Sequence, residues 1–81
     1  NFHKSMMHKA EESLMNDHHL QREISALTIA VNQDTFLEAK KRIQEFAQEL
    51  NVLLSASKDP DRIYQINFQM FPLTTTKGEV K

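Results

Sequence analysis

The sequence predicts a small α/β domain in the order helix–strand–helix–strand, with an α+β packing of the same elements as the alternative. Three observations predict it. Apolar residues recur at helical spacing between Phe2 and Leu14 and again between Phe36 and Leu54. They alternate with small or polar residues over 23–31 and over 62–72. A long helical stretch lies between the two alternating ones, and a strand–helix–strand succession ordinarily forms a parallel pair with a right-handed crossover.

The first helix rests on Phe2, Met6 or Met7, Ala10 and Leu14, about four turns. Asn16, Asp17, His18 and His19 are polar, weak helix formers and are expected to close it as a loop. The first strand, Glu23 to Val31, puts Leu27, Ile29 and Val31 on one face and the small Ala26, Thr28 and Ala30 on the other. Asn32 is a suitable N-cap, and Asp34 then falls in a first turn, where the helix dipole favours an acid. Phe36, Ala39, Ile43, Phe46, Leu50 and Leu53 step by three and four, with Ala47 and Leu54 widening the stripe. Glu38 with Arg42 and Lys41 with Glu45 are i,i+4 pairs on the wet side. Ser57 to Asp61, with Pro60 inside it, reads as a turn. From Arg62 the alternation places Tyr64, Ile66, Phe68 and Met70 on one face. Gln65, Asn67 and Gln69 lie on the other, bracketed by Ile63 and Phe71, until Pro72 ends the strand. One domain over 1–73 is expected, with a flexible Thr-rich tail over 74–81. Leu27, Ile29, Ile43, Phe46, Leu50, Tyr64, Ile66 and Phe68 are the expected core.

Composition narrows the function. The 81 residues suffice for one small domain, and a chain of this size hides only about 60–65% of its unfolded surface. A formal charge of −1 argues against a strongly basic nucleic-acid-binding domain. The absence of cysteine removes disulfides, thiolate nucleophiles and cysteine-based metal sites. One Gly and two Pro exclude glycine-rich phosphate loops. No apolar run approaches the roughly 18 residues of a membrane span.

Side chains able to do chemistry are scattered. His8 and Glu12 share a helical face, but His18 and His19 are adjacent and diverge, and no His-Glu-x-x-His order occurs. The Lys40-Lys41-Arg42 run is diluted by Glu38, Glu45 and Glu49, so it reads as a solvated face. The serines have no partner constellation or nucleophile elbow, and Asp59 and Asp61 are turn formers beside Pro60. The expectation is a protein that is not an enzyme, with no catalytic residues, no cofactor and no metal.

Two long strands make a weak sheet with exposed edges, and nothing covalent compensates. A homodimer that completes the sheet is therefore expected. Its interface candidates are Ala26, Thr28 and Ala30 with Ile63, Gln65, Asn67, Gln69 and Phe71.

The stretch from Asp59 to Leu73 (Asp-Pro-Asp-Arg-Ile-Tyr-Gln-Ile-Asn-Phe-Gln-Met-Phe-Pro-Leu) resembles the closing signature of a bacterial family. That signature is an acidic turn, Arg, Val/Ile-Tyr-Gln, alternating apolar residues and Phe-Pro-Leu. Phe2-His3-Lys4-Ser5-Met6-Met7 and Ser25-Ala26-Leu27-Thr28 resemble its earlier segments in the right order, so the likeness spans 2–73. The family looks like the C-terminal domain of bacterial helix-turn-helix transcriptional regulators. The resemblance implies a cytoplasmic regulatory or dimerisation domain that meets DNA only through an N-terminal domain absent here. The chain's start at Asn1 rather than Met fits that expectation. The alternative is a sensor of a small-molecule effector bound between copies, with Tyr64 or His18 in the pocket. No membrane association is expected.

Overall fold

A computed structural model describes residues 1–75 and 77–81. The first helix, α1, spans Phe2–Asn16. Asn1 caps it, its Oδ1 accepting the Lys4 amide at 2.9 Å. Met6, Ala10 and Ser13 are half-buried, four and three apart, so α1 presents one narrow face inward. At its end the Asp17 amide donates to the Ser13 carbonyl at 2.8 Å, and the Asp17 carboxylate accepts from the Ser13 hydroxyl at 2.7 Å. A single 3-10 turn, His19–Gln21, follows in the stretch expected as loop. His18 caps it, Nδ1 accepting the Leu20 amide at 3.2 Å.

The second helix, α2, spans Gln33–Ser55, 23 residues and about 35 Å. Asn32 starts it as expected, Oδ1 accepting both the amide and the hydroxyl of Thr35 at 2.8 and 2.9 Å. Phe36, Ala39, Ile43, Ala47 and Leu50 form its half-buried stripe. On the wet side Arg42 pairs with Glu38 at 3.0 Å. The helix closes where the Ser57 amide and hydroxyl both donate to the Leu54 carbonyl, at 3.2 and 2.7 Å. Asp59 then turns the chain with φ at 50°. It precedes Pro60, a position from which the right-handed helical region is disfavoured, and Asp tolerates the left-handed one.

The expected α/β fold, with its two-stranded sheet completed by dimerisation, is not formed. Among the described residues there are two α-helices and no strand, and 23–31 and 62–72 carry no regular secondary structure. The backbone pairing present is one antiparallel bridge, Thr74 with Val80, supported by the Lys81 amide on the Leu73 carbonyl at 2.8 Å. Gly78, at φ 82°, supplies the left-handed residue of that return.

The physical reason lies in how the second alternating stretch docks. Alternation specifies two faces but names no backbone partner. Here 62–72 is held by its side chains. The Tyr64 hydroxyl donates to the Gln21 carbonyl at 2.8 Å, and Asn67 Nδ2 donates to the Met6 carbonyl at 3.0 Å. The Phe68 ring meets Phe46 of α2 edge-on, centroids 6.5 Å apart. The first alternating stretch stays apart, with no hydrogen bond joining 23–31 to the rest of the described chain.

The expected core is corrected with the sheet. No described residue is buried. Ile43 and Leu50 are half-buried, whereas Phe46, Tyr64, Ile66 and Phe68 are exposed, and Leu27 and Ile29 are 81% and 71% exposed. Two helices and one docked segment supply a single layer, and a core needs a second layer to close over it. The radius of gyration, 15.7 Å, exceeds the roughly 12 Å of a compact chain of this length.

Candidate functional site

Between the first turns of α1 and residues 65–69 lies an open cleft of about 450 Å³. Phe2, His3 and Met7 form one wall, Ile66 and Phe68 the apolar part of the other, and Gln65, Asn67 and Gln69 its polar part. Helical spacing brings Phe2, His3 and Met7 to one end of α1, and the Phe2 and His3 rings meet edge-on at 5.7 Å. On the far side of the same segment, Lys40, Ile43 and Gln44 of α2 and residues 68–70 frame a shallower hollow of about 150 Å³.

Asn67 organises the cleft. In α1 the Met6 carbonyl already serves the helix, and its second lone pair takes the Asn67 amide. Gln65 Nε2 donates to Asn67 Oδ1 at 3.3 Å, which fixes the amide's orientation. Just upstream, the Arg62 guanidinium donates to the Asp61 carboxylate at 2.9 and 3.2 Å. That hydrogen bond is the main reason the Asp61 carboxyl lies below the usual carboxylate range. Asp61, and then Tyr64, in turn raise the Arg62 guanidinium.

The interface candidates divide into two groups. Gln65, Asn67 and Gln69 are gathered at the cleft, with Asn67 half-buried. Ile63, 99% exposed, and Phe71 lie beyond its two ends. Ala26, Thr28 and Ala30 are all exposed in the 23–31 segment and do not line it. Sequence reasoning missed two acceptors, the backbone carbonyls of Met6 and Gln21. No side-chain pattern signals which carbonyl has a spare lone pair. The contribution of Phe2 and Met7 was readable as the apolar side of α1, though not their meeting with the last segment.

His8 lies between two carboxylates of its own helix, Nε2 3.1 Å from Glu12 and Nδ1 3.9 Å from Glu11, all three exposed. The His18 and His19 rings lie with centroids 4.3 Å apart, tilted 31° to each other. Among the described residues no group of three or more His, Cys, Asp or Glu is placed to hold a metal ion. No described helix is long and apolar enough to cross a membrane. What the cleft can do is accept apolar side chains between aromatic and aliphatic walls and offer amides to a polar backbone beside them.

The chain is therefore a two-helix domain with an open, amide-edged apolar cleft and little closed interior. It matches, over residues 1–73, the family described as a domain of unknown function (DUF4423), and it belongs to that family. No curated protein and no solved structure matches it.

Proposed function

We propose that this domain is a self-association and regulatory module of a bacterial transcriptional regulator, acting in the cytoplasm as a homodimer and meeting DNA only through a separate N-terminal domain. One observation carries the self-association. The chain exposes 8105 Å², whereas a compact monomer of 9.4 kDa exposes roughly 5,000 Å². The surplus of about 3,000 Å² per chain, about 6,000 Å² for a pair, lies at the upper end of what obligate homodimers remove from water, and much of it belongs to large apolar side chains. A second copy is the partner whose concentration always matches that of the surface needing cover. The regulator assignment draws support from the likeness of Asp59 to Leu73 to the regulators' closing signature. A twofold module of this kind sets two DNA-binding heads at one spacing and raises the effective concentration of the second once the first has bound.

The test is the mass in solution. Light scattering behind size exclusion at micromolar concentration is expected to return twice the chain mass of 9.4 kDa. A mass of one chain overturns the reading.

A further inference from the structure

We propose that the cleft between α1 and residues 65–69 receives the 23–31 arm of a second copy, and that two copies exchange arms reciprocally. The inference rests on the self-association proposed above and names the surface that performs it.

The arm has the character of a detached ligand. Every residue from Glu23 to Val31 is exposed, and no hydrogen bond ties the segment to the rest of the described chain. In an extended arm Leu27, Ile29 and Val31 project from one side at about 6.6 Å intervals. Glu23, at its start, is its one charged residue. The cleft has matching chemistry. Phe2, Met7, Ile66 and Phe68 offer apolar surface, Gln65 and Gln69 add amides able to pair with an extended backbone, and His3 is the one titratable lining group. A neutral arm and a nearly neutral cleft suit each other, while a charged peptide or nucleic acid finds no counter-charge there.

In its own chain the arm does not enter the cleft: none of residues 23–31 lines it, although the arm's first root is held at Tyr64, next to Gln65 of the cleft wall. The arm is also held at both roots. Gln21 is bound by Tyr64 at 2.8 Å, and Asn32 caps α2. Each chain carries one arm and one cleft, so a twofold exchange forms two identical junctions and closes without leaving either unfilled. Two such junctions begin to cover the surplus surface of each chain.

The chain has no cysteine, so introduced thiols report on this contact directly. Leu27→Cys and Met7→Cys chains, purified separately, mixed and oxidised, are expected to form a disulfide-linked heterodimer. Val52→Cys mixed with Met7→Cys is the control and is expected to cross-link far less. Independently, Ile29→Asp is expected to raise the dimer dissociation constant about 30-fold while leaving the circular dichroism unchanged at concentrations where the variant is still dimeric, because Ile29 is already 71% exposed within its own chain. A dimeric parent chain whose 27–7 cross-link runs no faster than the control, with Ile29→Asp silent, overturns the exchange and leaves self-association standing. A monomeric parent chain overturns both. A small molecule retained one per chain in native mass spectrometry, and blocking the cross-link, assigns the cleft to a ligand and likewise overturns the exchange.

Discussion

Asn67 joins residues 61 positions apart with one amide, by donating to the Met6 carbonyl. Its neighbour Gln65 holds the amide oxygen, so the side chain cannot turn over without losing both bonds. In sequence Asn67 belongs to a polar ladder with Gln65 and Gln69, which reads equally as a solvated face or as a surface awaiting a partner. The structure separates the three, because Asn67 is half-buried against α1 while Gln65 and Gln69 remain exposed at the cleft. Truncating it removes a contact that nothing else replaces. Asn67→Ala is expected to lower the unfolding free energy by about 1 kcal/mol, the net worth of a partly shielded hydrogen bond. Urea denaturation measures this, and a midpoint equal to the parent's would show that the Met6 contact contributes nothing. The substitution also frees residues 65–69 from α1, so α1 should become more susceptible to proteolysis.

At the scale of elements, α2 is the part of the molecule that stands on its own sequence. Its start depends on Asn32, whose one carboxamide oxygen takes two donors from Thr35. Asn32→Ala is expected to cost about 1 kcal/mol and to reduce helical signal in far-ultraviolet circular dichroism by fraying the first turn. An unchanged melting curve would mean that docking of 62–72, rather than the cap, starts the helix. This element was legible because every determinant is local: a cap, an acid in the first turn and a stripe at 36, 39, 43, 47 and 50 that needs no distant residue to be recognised. α1 was legible for the same reason, through Met6 and Ala10. The segments 23–31 and 62–72 were not. Their alternation is real, yet a strand exists only when a second backbone supplies its ladder, and that partner is a long-range fact which period two does not encode. Tyr64, Asn67 and Phe68 instead bind Gln21, Met6 and Phe46 through side chains, so the last segment found helices where a strand was expected. Half of the candidate site was readable: the amides Gln65, Asn67 and Gln69 were singled out, whereas Phe2, His3 and Met7 opposite them follow from the docking alone.

For the whole molecule the decisive quantity is surface. An unfolded chain of 9.4 kDa exposes about 13,600 Å², so the 8105 Å² that remains means folding hides only about 40% of it. A domain of this size normally hides more than half, and the shortfall is hydrophobic area, which drives folding. Apolar burial on that scale does not offset the conformational entropy of ordering 81 residues by a comfortable margin, so the proposed second copy would supply stability. Folding and association are then one equilibrium, and dilution acts as a denaturant. Each tenfold dilution removes about 1.4 kcal/mol from the dimer, which for two chains of this length lowers the melting temperature by about 4 °C. Thermal scans from about 100 µM down to 1 µM therefore should show a steady fall of roughly 8 °C, steeper than any drift from aggregation, which works in the opposite direction. The same scans with Ile29→Asp should begin lower and keep the slope, since weakening the junction shifts the association constant without changing the number of chains that come together. A melting temperature independent of concentration, at a mass of one chain, would mean that the exposed Leu27, Ile29 and Ile63 are tolerated in water as they stand, and that no second copy is needed to cover them.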